Sequence, residues 1–568
     1  QNLFVLEIAS GKETQLTTDG GGDIKNGMAE FVAQEEMGRM TGYWWAPDDS
    51  KIAFTRTDES GVAEVVRNEI YADEIKLFNQ RYPYTGTANA KIQLGVVTLK
   101  DGSVNWISHG DDEDIYLPRV EWTKSARYLS YQWQSRNQQQ LELRLVDLSN
   151  NQQKVLLSES SKTWLNLHDD LHFLKDDKGF IWASERDGYK HLYYYDFNGK
   201  LQRQLTRGDW VVDELDAVNE KLGTVYFTAR KDTPLERHLY QVSLDGGDIK
   251  RLTEPNYDHA LVMAKDGSSF IDSFSNVTTP NKVALRALDG TVLTWLEQNE
   301  LDKTHPLTAY HAQLTAPRFG TIKAEDGQTM HYRMFEPAAF EPGKKYPVIV
   351  SVYGGPHAQR VVSASSAFNS SQWFADQGFV VVIVDNTGTP GKGSAWERGV
   401  ANDLAQQVLE DQVEVLRALD DLEPRADTTR VGIRGWSFGG YLAALAVLRR
   451  SDLFHAAVAG APVTDWRLYD THYTERYLGN PAVNDAPYAA TSLMNDAASL
   501  ERPLLLIHGL ADDNVVAAHT LQLSSALLAA GKPHEVLPLS GVTHMTPQEE
   551  VAENLLLHQL EFLRRTLG

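Results

Sequence analysis

Internal repetition constrains this chain more than any other feature. Six times in its first half an apolar residue is followed thirteen positions later by another, across a Gly-, Asp- or Asn-containing turn. The pairs are Leu3/Leu16, Leu94/Ile107, Leu143/Leu156, Leu192/Leu205, Leu239/Leu252 and Val283/Leu296; from Leu94 they recur at intervals of 49, 49, 47 and 44 residues. A second element, two apolar residues seven apart, precedes each complete copy: Trp45/Ile52, Trp122/Leu129, Phe173/Phe180, Val218/Val225 and Met263/Phe270. Two turn-linked strand pairs every ~45–50 residues is the pattern of a propeller blade, whose sheet must stack on its neighbours to bury both faces.

Two departures from the repeat are informative. Trp45 to Leu94 takes 49 residues where the other copies take 19 to 21. This predicts an insertion of about 28 residues, roughly 62–91, containing Tyr82-Pro83-Tyr84; long inserts in repeats form functional loops. The chain also opens in mid-blade, at the Leu3 pair. A half blade followed by five complete repeats leaves an open edge, so we expect further blades to precede Gln1.

After about Leu314 short apolar strands alternate with helical stretches, which predicts a parallel sheet with helices on both faces. Strands are expected at Val348–Tyr353, Phe379–Asp385, Arg430–Arg434, Leu504–His508 and Glu535–Leu539, and a helix at about Leu404–Leu422. Strand Arg430–Arg434 runs into Gly435-Trp436-Ser437-Phe438-Gly439, with a helix behind it. Gly-x-Ser-x-Gly between strand and helix is a nucleophile elbow, so Ser437 is the expected nucleophile. Serine needs a base and a group to orient that base. In the α/β-hydrolase order the acid and then the histidine follow. Asp512, or Asp513 by spacing alone, lies just past strand Leu504–His508, and His544 follows strand Glu535–Leu539. His508 ends the strand before the acid and is expected to be structural. The expected fold is a β-propeller over 1–313, cut short at its N-terminus, followed by an α/β-hydrolase domain over 314–568.

Composition narrows the partners. The net charge of −23 argues against a nucleic-acid surface, which needs clustered Lys and Arg. No apolar run reaches the ~18 residues of a membrane span, and no signal peptide is visible from Gln1. With no cysteine there is no disulfide, thiol nucleophile or Cys-based zinc site.

The segment Gly435-Trp436-Ser437-Phe438-Gly439-Gly440-Tyr441 resembles the prolyl oligopeptidase family, and most closely its dipeptidyl peptidase IV branch. Supporting matches are Tyr353-Gly354-Gly355-Pro356, Tyr473-Thr474-Glu475-Arg476-Tyr477, His508-Gly509 with Ala511-Asp512-Asp513-Asn514-Val515, and the tract from Asn26-Gly27 to Glu35-Glu36. The resemblance implies a serine exopeptidase that releases X-Pro and X-Ala dipeptides from peptides with free N-termini. It makes Asp512 the acid, and Tyr353 with the Phe438 backbone N–H the oxyanion donors. Glu35 and Glu36 would bind the substrate ammonium. Val463, Trp466, Tyr469, Tyr473 and Val515 would line the proline pocket, and Asn514 would contact a substrate carbonyl. An early-blade arginine used by the family has no match here and is expected before Gln1. The resemblance also implies a homodimer whose arm is the 62–91 insert, favours a periplasmic or secreted location, and requires no cofactor or metal. Within the family, an acylaminoacyl peptidase, a tripeptidyl peptidase and an endo-oligopeptidase remain open, differing at the amine end. Outside it remain an inactive scaffold, against which the intact triad argues, and a general esterase, which needs neither propeller nor amine clamp.

Overall fold

The computed structural model describes residues 1–71, 73–265, 267–310, 315–324, 327–365 and 370–568. The seven-residue pairs are facing residues of antiparallel strands in all five copies: Trp45 with Ile52, Trp122 with Leu129, Phe173 with Phe180, Val218 with Val225, Met263 with Phe270. The thirteen-residue pairs close the neighbouring hairpins. Leu94 faces Ile107, and the N–H groups of Leu16, Leu205 and Leu252 donate to the carbonyls of Leu3, Leu192 and Leu239 at 2.8 Å. Two copies slip: bulges set Leu143 opposite Leu157 and Val283 opposite Glu297. A bulge adds one residue to one strand and shifts its partners without ending the hairpin.

These hairpins build a two-stranded sheet followed by five sheets of four or five strands. The sheets stack in chain order, as the packing between them shows. Ala53 and Leu94 pack with Leu129 and Tyr131; Leu141 and Leu143 with Phe180 and Trp182; Ile181 and Leu192 with Val225 and Phe227; Tyr226 and Leu239 with Phe270. The interior blades thus bury both faces against their neighbours, while Phe4 and Leu6 of the first sheet and Val262, Leu293 and Leu296 of the last stay exposed, and the arrangement is a β-propeller. The insertion is a hairpin of its own, Glu64–Ile70 against Ile75–Arg81, paired with no blade.

The second half is an α/β-hydrolase sheet of eight strands. In spatial order they are Arg318–Lys323, Thr329–Phe335, Val380–Val384, Tyr346–Val352, Ala426–Trp436, Ala456–Gly460, Leu504–Gly509 and Glu535–Leu539. The expectation of a parallel sheet holds from Val380–Val384 onward and fails at one edge, where the first two strands run antiparallel. Helices Gln406–Leu422 and Phe438–Arg449 cover one face and Ser370–Asp376 and Glu549–Leu567 the other, so the sheet separates two apolar cores. The expected boundary at 313/314 lies outside the described residues.

The halves meet through the insert. Tyr84 bridges to Asp470, and Thr85 N–H donates to the Tyr469 carbonyl at 2.9 Å. Farther round the propeller, Arg136 makes a two-pronged contact with buried Glu475 at 2.9 and 2.7 Å.

Candidate active site

Ser437 ends strand Ala426–Trp436 and precedes helix Phe438–Arg449, with φ 61° and ψ −120°. An L-residue holds such angles only where its surroundings enforce them. Here the enforcement is close backbone packing. A Cβ on Gly435 would lie 2.3 Å from the Gly439 carbonyl oxygen, and one on Gly439 would lie 2.4 Å from that of Val352. The elbow glycines are therefore steric requirements of the turn that presents the serine.

Asp512 is buried at the end of strand Leu504–Gly509, and its Oδ2 lies 2.8 Å from His544 Nδ1. Its Oδ1 accepts the N–H groups of Asn514 and Val515 at 3.0 and 2.9 Å. Burial alone would raise the Asp512 pKa, but hydrogen bonds with His508 and His544 outweigh it and hold the carboxyl at about 2. Asp512, and not Asp513, is thus the carboxylate that meets the histidine. His508 sits 3.4 Å from Asp512 Oδ2 and is locked between Thr520 and the Val515 carbonyl, a buttress of the acid loop. Trp436 Nε1 donates to the His544 carbonyl at 2.8 Å, tying the histidine loop to the residue before Ser437.

Phe438 opens a twelve-residue helix, so its N–H has no acceptor within that helix. Its ring lies 6.2 Å from that of Tyr353. Burial, with Glu36 nearby, pushes the Tyr353 hydroxyl up to about 12, which keeps it a protonated donor. On the same side, Trp466 stacks on Tyr473 at 5.7 Å, and Tyr469 stands edge-on to both. Val463 and Val515 are buried in the same core. These five aromatic and aliphatic side chains form one apolar wall beside the elbow.

Glu35 closes the five-residue helix Phe31–Glu35 and Glu36 follows it. Asn514 Nδ2 donates to Glu35 Oε2 at 2.9 Å, while Asn514 Oδ1 accepts from the Tyr469 hydroxyl at 2.6 Å. The propeller carboxylate is therefore held two residues from Asp512. Glu36 shares a cavity of about 530 Å³ with Tyr353 and Tyr473. Burial raises the Glu36 pKa well above the usual range, and Asp470 beside it adds to the effect. Burial likewise lifts Asp470 to about 6, and burial with Asp513 nearby raises Glu35.

Sequence reasoning passed over several contributors. Asp470 loads Glu36 electrostatically, and nothing local to either residue signals it. Arg67, Gln80 and Tyr82 of the insert donate to the backbone carbonyls of Ala511, Asp513 and Asn514 at 2.9, 3.0 and 2.9 Å. The length of the insert was the available sign that it serves the site.

Comparison with known proteins agrees with this geometry. Residues 1–281 match the family described as the dipeptidyl peptidase IV (DPP IV) N-terminal region, and residues 365–568 match the prolyl oligopeptidase family. The chain belongs to the prolyl oligopeptidase family. It is a serine peptidase. It is 32% identical to human dipeptidyl peptidase 8 over 95% of this chain and 69% of that protein. With dipeptidyl aminopeptidase A of Saccharomyces cerevisiae identity is 28%, over 93% and 60% of the two chains. The crystal structure of Porphyromonas gingivalis dipeptidyl peptidase 4 superposes with a TM-score of 0.94 at 29% identity, covering 100% of this chain and 80% of the other. Prolyl oligopeptidase family architecture, with propeller before hydrolase, accounts for both halves of the fold.

Proposed function

We propose that this peptidase releases X-Pro and X-Ala dipeptides from peptides with a free N-terminus. The observation that carries the reading is the Asn514–Glu35 hydrogen bond, 2.9 Å long, which fastens a pair of carboxylates to the loop of the triad acid. A substrate ammonium at Glu35 and Glu36 then lies a set distance from Ser437, and that distance measures out two residues.

In this reading Ser437 Oγ attacks the carbonyl while His544 Nε2 takes its proton, and Asp512 holds the imidazole by Nδ1. The Phe438 N–H and the Tyr353 hydroxyl receive the oxyanion. His544 then protonates the leaving amine, and water releases the dipeptide from Ser437 by the same steps reversed. Val463, Trp466, Tyr469, Tyr473 and Val515 offer a pyrrolidine ring an apolar wall that asks for no hydrogen bond. Asn514, oriented by Tyr469, is placed to meet a substrate carbonyl.

We further propose that the chain works as a homodimer through the insert. Its hairpin leaves Val66, Ile75 and Leu77 exposed by 53, 64 and 65%. So much apolar surface on one arm fits a self-complementary contact.

The deciding test compares chromogenic Gly-Pro, Ala-Ala and N-acetyl-Gly-Pro substrates. Fast release from the first two, with the acetylated one nearly inert, supports the dipeptidyl reading. Equal rates on free and acetylated Gly-Pro would replace it with an acylaminoacyl or endopeptidase activity.

A further inference from the structure

A second recessed space lies under the elbow, on the opposite face of the sheet from the proline wall. It encloses about 170 Å³ and is bounded by Ser351, Tyr353, Arg360, Ser370, Arg434 and Trp436, with no Asp or Glu among its described lining residues. Strand alternation explains its composition. Ile433 points into the core beneath the proline wall, so Arg434, next along and three residues before Ser437, points to the other face.

Arg434 is held in place but not neutralised. Its Nε donates to Gln559 Oε1 at 3.1 Å, and its guanidinium lies 4.6 Å above the centre of the Phe374 ring. Among the described residues it has no carboxylate partner, and the charge that acts on it is another cation, Arg360. Burial, with that cation near, pulls the Arg434 pKa down to about 10. The nearby carboxylate, Asp385, is engaged by the backbone N–H groups of Arg360 and Val361 at 2.7 and 3.0 Å. Arg434 and Arg360 thus put two guanidinium groups at one recess in a chain of net charge −23. A half-buried guanidinium at a recess, whose terminal N–H groups have no acceptor among the described residues, suits a planar anion.

The position of the recess narrows which anion. The proline wall belongs to the core on the Gln406–Leu422 face, whereas Val458 and Ile507, which floor the recess, belong to the core on the Glu549–Leu567 face. Ser437 stands between the two. If the acyl half of a peptide lies against the wall, the departing half lies over Trp436 and the recess.

We infer that the Arg434–Arg360 recess binds a carboxylate of the departing peptide, either an acidic side chain on the residue after the cleaved bond or the terminal carboxylate of a tripeptide. This rests on the dipeptidyl reading above, and Gly-Pro p-nitroanilide, which has no carboxylate in its leaving group, tests that reading separately.

The test measures kcat/KM for Gly-Pro release from two matched pairs. Gly-Pro-Glu amide against Gly-Pro-Gln amide reports a side-chain carboxylate, and Gly-Pro-Gly acid against its amide reports a terminal one. At least one acid-to-neutral ratio should reach about tenfold, the scale of one charge-assisted hydrogen bond. In Arg434→Gln that ratio should fall towards one. Arg360→Gln, at the exposed rim, should lower it partway and keeps the test open should the buried substitution impair folding. Both wild-type ratios staying within about twofold of one, or a raised ratio surviving both substitutions, would overturn the inference.

Discussion

The side-chain amide of Asn514 joins Glu35 of the propeller to the loop that carries Asp512, at 2.9 Å. One residue thereby couples the group proposed to hold the substrate's amine to the carboxylate proposed to orient the catalytic base.

Glu35→Gln and Glu36→Gln should each lower kcat/KM for Gly-Pro substrates about 10- to 150-fold, the equivalent of losing a charge-assisted hydrogen bond of ~1.5–3 kcal/mol. Small activated esters without an amine should lose far less. The comparison of peptide and ester rates on the same variants is the check. Equal losses on both would mean that the carboxylates support the fold and not the amine.

Acid should inhibit peptide cleavage through the carboxylates of the proposed amine site. Burial raises the Glu36 pKa well above the usual carboxylate range and holds Asp470 at about 6, so an ammonium loses its counter-charge at a higher pH than ordinary carboxylates would allow. Asp512, held at about 2, stays ionised at that pH. The acid limb of kcat/KM should therefore be steeper for peptides than for esters. Asp470→Asn removes a negative neighbour of Glu36 while keeping an oxygen to accept the His472 and Tyr473 N–H groups. It should move the peptide limb to lower pH. An unmoved limb would exclude Asp470 as the cause.

Ser437→Ala and His544→Ala should each cut turnover by more than ~10⁴-fold while leaving the circular dichroism and melting profile intact, because triad members act as a unit. Gly439→Ala should behave differently. Its Cβ would lie 2.4 Å from the Val352 carbonyl oxygen, so soluble expression should fall along with activity.

Glu475→Gln leaves Arg136, between propeller and hydrolase, with half-exposed Asp114 at 2.9 Å as its remaining carboxylate partner. A wholly stranded buried ion costs about 3–5 kcal/mol; with Asp114 retained the loss should be smaller, and a drop in melting temperature is expected. A melting curve that matches the wild type would show that the two halves are held elsewhere.

Leu77→Asp puts a charge on the exposed face of the insert hairpin, where the side chain is 65% exposed. If the proposed homodimer forms through the insert, light scattering should show it weakened or lost. A dimer of undiminished mass would remove the insert from the interface.

Local features of the site were legible in the sequence, and distant ones were not. The elbow is five consecutive residues, and hairpin spacing is fixed by turn length, so Ser437 and the blade pairs could be read directly. The bulge after Leu143 left no mark in the apolar pattern, since Leu156 and Leu157 are both leucine. The antiparallel edge was legible but overlooked: the five residues between Lys323 and Thr329 are too few for a parallel crossover. Asp470 beside Glu36 could not be read at all, because more than 400 residues of chain separate them. Glu35 and Glu36 became candidates through family resemblance, for two adjacent glutamates carry no signal of their own.

The insert hairpin bears on how such a protein can be rearranged. Arg67, Gln80 and Tyr82 supply hydrogen bonds to the carbonyls of residues 511, 513 and 514, so part of the scaffold of the Asp512 loop is encoded in the first hundred residues. A hydrolase half excised from this chain, or grafted behind a relative's propeller with a different insert, would carry Ser437, Asp512 and His544 in full and still lack the donors that hold its acid loop. The two halves are not interchangeable modules, and a chimera would have to carry the insert along with the triad.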